Sequence, residues 1–471
     1  MAAIRFVALS SILAFTLPAG LAREKEDAFQ GVQQSVQERT GKTLQWEEDQ
    51  AAREQARQEV RQLLRKPLTV DTAVQIALLN NRSLQATFEE IGLSAADLRQ
   101  ATMFPNPRFD LALRFPDKPP SGTYQDYDVA IDFLSTIMIP LKKRVAKERL
   151  ESEALRIADS TLELVSEVKS AFYSLQASQQ LLKRLKLILD TNAASLDLAQ
   201  RQHEAGNISD LGLDQQQASY SRSRLDVATT EAEILRNREQ LNRLLGLWGA
   251  DTDWPIAGEL PEVPSSDLPI NGLERLAVSQ RLDLQADYLR VRSQGADLRL
   301  IKAFRLLGAL DFGASSERET DGQQRTGPTF AIELPIFDQG QARIARGEAA
   351  HRQAWDQFEA LAIDVRSQIR ELRDALTNKR ESARFYQEEL VPRERRILNE
   401  SLLNYNAMTV STFELFTTKA DEARTEREYV EAVRDYWITR AQLERAVGGS
   451  LRSRQSEEGK STPISNPGTT R

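Results

Sequence analysis

The chain carries one segment twice. LTVDTAVQIALLNNRSLQATFEEIGLSAADLRQ begins at Leu68, and LPINGLERLAVSQRLDLQADYLRVRSQGADLRL begins at Leu268. At a shift of 200 residues, with no gap, they share Leu68/Leu268, Ala77/Ala277, Leu84/Leu284, Gln85/Gln285, Ala86/Ala286 and Ala96-Asp97-Leu98-Arg99 against Ala296-Asp297-Leu298-Arg299. A duplicated segment means that the unit containing it is built twice. The 471 residues therefore read as two copies of one design rather than as unrelated domains.

The stretches downstream of the two copies match as well. Residues 70–102 read as one or two amphipathic helices, with Asp71 as the expected N-cap. After two prolines, Phe109, Leu111, Leu113 and Phe115 alternate with Asp110, Ala112 and Arg114; Tyr127, Val129, Ile131 and Phe133 alternate with Asp128, Ala130 and Asp132. Period two means strands, expected at about 107–115 and 127–136. In the second copy the same alternation places strands at about 306–315 and 328–336, with Asp311 and Glu333 on the polar side. Each hairpin thus has one greasy face and one acidic or small face. A long helical pattern comes after each: from about Val145 to His203, and from Gln341 to Tyr405 with Pro392 as a kink. Short breaks at 204–209 and 406–411 precede return helices, capped by Ser209 or Asp210 and by Ser411, that end at Gly246 and Gly448.

The expected organisation is a signal peptide over 1–22, a polar helical extension over 23–66 broken at Gly31 and Gly41, and a first repeat over 67–246. An irregular connector spans 247–267, a second repeat 268–450 and a disordered tail 451–471. The fold class is mainly α with a small β part. Beyond the leader no apolar run reaches the ~20 residues of a spanning helix. An exported chain of this kind can still meet a membrane as a β-barrel. Four strands cannot close a barrel, which needs ~8 or more, so several chains must pool their strands, two giving eight and three giving twelve. A net charge of −7 with no basic patch argues against nucleic acid as a partner. Cysteine is absent, which excludes disulfides, thiolate metal sites and a lipidated cysteine.

With these elements in order, the chain resembles the TolC-like outer-membrane efflux family. LPIFDQGQARIARGEAAHRQA at 334–354 and the tip EAGNISDLGLDQQQA carry the likeness, together with the duplicated unit. The resemblance implies a homotrimer: a twelve-stranded barrel in the outer membrane, continuous with a periplasmic α-helical barrel. It implies an exit duct of a tripartite pump, with a periplasmic adaptor (membrane fusion protein) and an inner-membrane transporter as partners, and no catalysis or cofactor. The N-terminal extension resembles branches linked to heavy-metal resistance. Carried over by position, the periplasmic gate falls on Glu414, with Thr417 where a second acid is usual; three Glu414 carboxylates around an axis would repel one another and attract cations. The adaptor-contact tips fall on Ala205, Gly206 and Asn207, and on Ala407, Met408 and Thr409, Met408 standing where the family often has Gly. Asp110, Asp128, Asp132, Asp311 and Glu333 would line the barrel lumen.

Other readings are a duct for type I protein secretion and a periplasmic coiled-coil adaptor or scaffold. The only histidines, His203 and His351, have no paired-ligand spacing, so no metal site is expected. No nucleophile elbow or phosphate-cradling glycine loop is present.

Overall fold

The computed structural model describes residues 17–120, 122–264 and 272–449. Residues 1–16 of the expected signal peptide, the start of the second repeat at 268–271 and the expected tail at 451–471 lie outside the described residues. In chain order the helices and strands are α1 (Leu17–Thr40), α2 (Gln50–Leu64), α3 (Val70–Asn80), α4 (Arg82–Thr102), β1 (Arg108–Arg114), β2 (Tyr124–Asp132), α5 (Phe133–Glu204) and α6 (Asp210–Leu245). The second half holds α7 (Leu273–Gln280), α8 (Leu282–Ala303), β3 (Leu310–Arg318), β4 (Gln324–Ile332), α9 (Gln341–Phe385), α10 (Val391–Asn406) and α11 (Thr412–Val447). They fall into two compact units. One comprises the chain up to Ser35, Ala86–Ala158 and Leu282–Ile363; the other runs from Val36 to Gln85, Asp159 to Arg281 and from Asp364 onward.

The duplication is visible atom by atom. α3 stops at Asn81 and α7 at Arg281, with nearly the same backbone (φ −68°, ψ 118° and φ −64°, ψ 127°). The N–H groups of Asn81 and Arg281 donate to Ala77 O and Ala277 O, both at 2.9 Å. Each break is also bound to the end of a return helix. Asn80 Nδ2 donates to Leu245 O and Gly246 O, Asn81 Nδ2 donates to Leu244 O, and Arg281 Nη1 donates to Ala446 O. The C-caps Gly246 (φ 67°) and Gly448 (φ 92°) are left-handed, as the close of a helix on glycine requires.

In the first unit the four strands form one antiparallel sheet in the order β1-β2-β3-β4. The two hairpins join through β2 and β3, leaving β1 and β4 as edges. Both ends of β2, β3 and β4 differ from the expected bounds by three or four residues, and three of these ends have a visible cause. Phe133–Thr136, expected in strand, open α5 instead, because the Asp132 carboxylate accepts the Ser135 N–H (2.9 Å) and so caps a helix there. α5 is thus 72 residues long and carries Pro140 inside it. Leu306–Ala309 are not in β3; a turn off α8 takes Leu306, with Phe304 N donating to Leu300 O and Leu307 N to Phe304 O. β4 stops at Ile332, since Pro335 offers no N–H and the Ile336 N–H folds back onto Leu334 O (2.9 Å).

The second unit holds residues 36–66 of the extension and buries a few of its side chains. Leu44, Trp46 and Glu47 are buried, and Gln85 grips this strap by accepting the Glu47 N–H and donating to Gln45 O, both at 2.9 Å. The connector is core as well: Trp254 is fully buried, donates to Asn242 Oδ1 at 3.0 Å and lies under the Arg238 guanidinium. Gly31, expected to break the extension, lies within α1, whereas Gly41 (φ 69°) does end that helix. Thr69 rather than Asp71 caps α3, in a reciprocal box with Thr72. Pro392 acts one turn upstream: the Glu388 carbonyl loses its α-helical donor, and Tyr386–Leu390 form a π-turn between α9 and α10.

Candidate functional site

The strand register sorts every side chain of the sheet onto one of two faces. Asp110 lies opposite Asp128, Asp128 opposite Ser315, and Asp132 opposite Asp311. Glu333 follows β4 on the same side and accepts the Ala309 N–H at 3.1 Å. The five acids assigned to a lumen therefore share one face. Facing acids are costly unless compensated, and the face carries the compensation. Arg108 pairs with Asp311, Thr329 donates to Asp128 Oδ1 (3.2 Å), and Tyr124 donates to Glu317. Arg108, Tyr124, Glu317 and Thr329 share the parity of these acids, so alternation alone could have named them.

The other face is bare. Phe109 is 62 % exposed and Phe330 is 72 % exposed, with Leu111, Leu113, Val129, Phe312 and Ile332 also uncovered. Among the described residues no helix is long and apolar enough to cross a membrane.

The two tips belong to the second unit and share one backbone device. Gly206 N donates to His203 O and Asn207 N to Gln202 O, both at 2.8 Å; Met408 N donates to Tyr405 O and Thr409 N to Asn404 O, both at 2.9 Å. Such paired bonds end a helix on a left-handed residue, here Gly206 (φ 75°) and Met408 (φ 61°). Met408 is the only non-glycine residue with positive φ among the described residues, and it is 93 % exposed. Ala205, Asn207, Ala407 and Thr409 are exposed beside them. His203 staples the first tip, with Nδ1 3.3 Å from Ile208 O and Nε2 3.4 Å from Asp210.

Glu414 and Thr417 sit in the first two turns of α11, and both are exposed. The Glu414 N–H donates to the Ser411 hydroxyl (3.2 Å), which leaves its carboxylate free of the cap; the Thr417 hydroxyl folds back onto Phe413 O (2.9 Å). Further along, two acids of α11 are buried. Glu426 is held by Arg184 (2.9 Å) and Arg395 (2.8 Å), and Glu422 by Lys419 (3.1 Å). A polar cleft of about 750 Å³, unmarked by any sequence motif, is lined by Glu163, Glu167, Arg243, Glu371 and Arg445. Burial, reinforced by Glu163, holds the Glu167 carboxyl above its ordinary pKa. Among the described residues no group of three His, Cys, Asp or Glu could hold a metal ion.

A model of the family described as outer membrane efflux protein matches residues 73–247. The chain is 22 % identical over 354 residues to the cobalt-zinc-cadmium resistance protein CzcC of Cupriavidus metallidurans, covering 72 % of this chain and 80 % of that one. It is 26 % identical over 317 residues to TtgC, a probable efflux pump outer membrane protein of Pseudomonas putida, covering 62 % and 64 %. The crystal structure of the CmeC outer membrane channel of Campylobacter jejuni superposes with a TM-score of 0.70 at 14 % identity, over 83 % of this chain and 88 % of that one.

Proposed function

We propose that this chain, which belongs to the outer membrane efflux protein family, works as the exit duct of a tripartite pump, passing small toxic solutes or metal ions out of the periplasm. Members of the family are passive outer membrane channels and not enzymes, and they imply an adaptor and an inner-membrane transporter as partners. The observation that carries the reading is the sheet. Its apolar face is uncovered, its polar face carries charge, and both edges are open. Lipid does not tolerate open edges, so the strands close only by pairing with those of other copies. Three copies would give twelve strands, the homotrimer of this reading. A periplasmic scaffold would need its own helices over Phe109 and Phe330, and they are bare.

Exported by its leader and without a cysteine to lipidate, the mature chain is held in the outer membrane by this barrel. The tips at 205–207 and 407–409 meet the adaptor; a left-handed methionine exposed to solvent suits a partner with an apolar groove. Asp110, Asp128, Asp132, Asp311 and Glu333 face the water-filled lumen. The likeness to a cobalt-zinc-cadmium resistance protein favours divalent cations as cargo, and an acidic lumen suits them.

Glu414 is the gate: one carboxylate per protomer, brought together around the axis, forms an acidic ring at the periplasmic entrance that attracts cations. In planar bilayers the parent shows a small, cation-preferring conductance, and Glu414→Ala enlarges it and weakens the preference. Unchanged conductance and selectivity in the variant remove Glu414 from the gate. A mature protein extracted without detergent as a monomer removes the duct.

A further inference from the structure

The charge of the chain is unevenly placed around the sheet. The segments that join strands to helices, 98–109, 133–147, 299–310 and 334–347, hold eleven Lys and Arg and one acid, Asp338, in a chain of net charge −7. The hairpin loops at the opposite end of the strands, 115–123 and 319–323, hold three acids and one Lys. Acids stand within two residues of every bound of these segments, among them Asp132, Glu148, Glu333 and Glu348, so the cations are gathered at the helix end of the sheet without making that end basic as a whole. All four basic segments lie in the first unit.

The same segments carry uncovered apolar side chains that continue the bare face of the sheet. Phe133, Ile137 and Leu141, spaced four apart, share one side of α5 and are all exposed. Phe104 is 70 % exposed before β1, and Phe337 is 91 % exposed after β4. Directly after Leu141 come Lys142, Lys143 and Arg144; Lys143 and Arg144 are exposed, and Arg144 has only a long 3.6 Å approach to Glu148. At ~1.5 Å per residue, Phe133 to Leu141 spans about 12 Å, so the cations begin where the greasy side of α5 ends. Arg343 and Arg346 stand in the corresponding place on α9 in the second copy, and Arg305 stands between α8 and β3. Apolar side chains followed by long cationic ones are the pattern of a lipid–water boundary, the aliphatic stems lying along the acyl region and the charges reaching the phosphates.

We propose that this collar binds anionic phospholipid headgroups of the periplasm-facing leaflet, with Lys142, Lys143, Arg144, Arg305, Arg343 and Arg346 on the phosphates and Phe133, Ile137, Leu141 and Phe337 in the acyl boundary. The inference rests on the duct reading, which puts the sheet in the bilayer. It supplies a second anchor to a chain with no cysteine for a covalent lipid. Several cations at one depth add their attraction to an anionic surface.

The test uses the full mature protein reconstituted into vesicles of phosphatidylcholine with and without phosphatidylglycerol. The lipid shell retained after detergent washing is quantified, and conductance is recorded from the same preparation. The parent retains phosphatidylglycerol over phosphatidylcholine by roughly tenfold or more, and the preference falls as salt rises. Lys142→Gln with Lys143→Gln and Arg144→Gln removes most of it. Arg343→Gln with Arg346→Gln, on a different helix, lowers it independently, so that a folding failure of one variant leaves the other to decide. No lipid preference in the parent, or the same preference in both variants, overturns the collar. Displacement of the lipid by inorganic phosphate overturns it in favour of a free-anion site. A conducting parent without lipid preference sinks the collar and leaves the duct; lipid preference without conductance sinks the duct and leaves the collar.

Discussion

Asn80 shows how much a single amide can hold. Its Nδ2 caps two carbonyls at the end of α6, at 2.9 Å to Leu245 O and 2.8 Å to Gly246 O. A Cβ at Gly246 would lie 2.3 Å from Asn80 O, so the approach depends on glycine as well as on its positive φ. Asn80→Ala strands two buried acceptors, and each costs about 1–3 kcal/mol. Thermal unfolding of the variant should begin at a lower temperature, whereas Asn406→Ala at the exposed tip should unfold like the parent. Equal melting of both variants would mean that water replaces the amide. Neither bond was legible in the sequence. Asn80-Asn81 read as part of a helix, and only the fold shows that the break lies on the end of a segment some 165 residues later.

At the scale of the element, the sheet is where local pattern and final structure agree most closely. Period two placed the acids and the large apolar side chains on opposite faces, and the register keeps them there. The ends were less legible, because they depend on which group satisfies the next backbone N–H. The Asp132 carboxylate and Pro335 settle that at Phe133 and Ile336. If the bare face meets acyl chains, a charge there is expensive: Phe330→Arg should lower stability in the bilayer by about 2–4 kcal/mol when it sits near the midplane. Refolding into vesicles of known thickness measures this. Thr329→Arg on the polar face, which meets water, should cost little. A reversed order of the two variants would turn the sheet inside out.

For the whole molecule, the helices make a demand like that of the strands. On α6, Ser223, Val227, Thr230, Leu241 and Leu245 are buried, Val227 against Leu181 and Leu185 of α5. A second row, Leu211, Ala218, Leu225 and Ala232, repeats every seven residues and is exposed, with Leu235 beside it. Seven-residue spacing is the seam of a packed helix pair, and within the protomer this seam has no partner among the described residues. If the proposed trimer forms, this row is the surface that packs on a neighbouring copy. Leu225→Glu with Leu235→Glu should abolish the heat-labile oligomer expected on unheated gels while leaving the helical signal of circular dichroism unchanged. An oligomer that survives both substitutions would place the interface elsewhere.

The sequence by itself determined the duplication, the two-faced strands and the return helices with their serine and glycine caps. The strands and caps are local: periodicity and backbone preference act over a few residues and are printed in any short window, and the duplication needs only two such windows side by side. Tertiary structure alone decided that Trp46 of the extension and Trp254 of the connector are core. Trp46 and Trp254 sit in segments with no period, and their burial depends on Gln85 and Asn242 arriving from elsewhere in the chain. It alone also paired Arg108 with Asp311, because charges far apart in sequence become neighbours only when β2 and β3 join the two copies into one sheet.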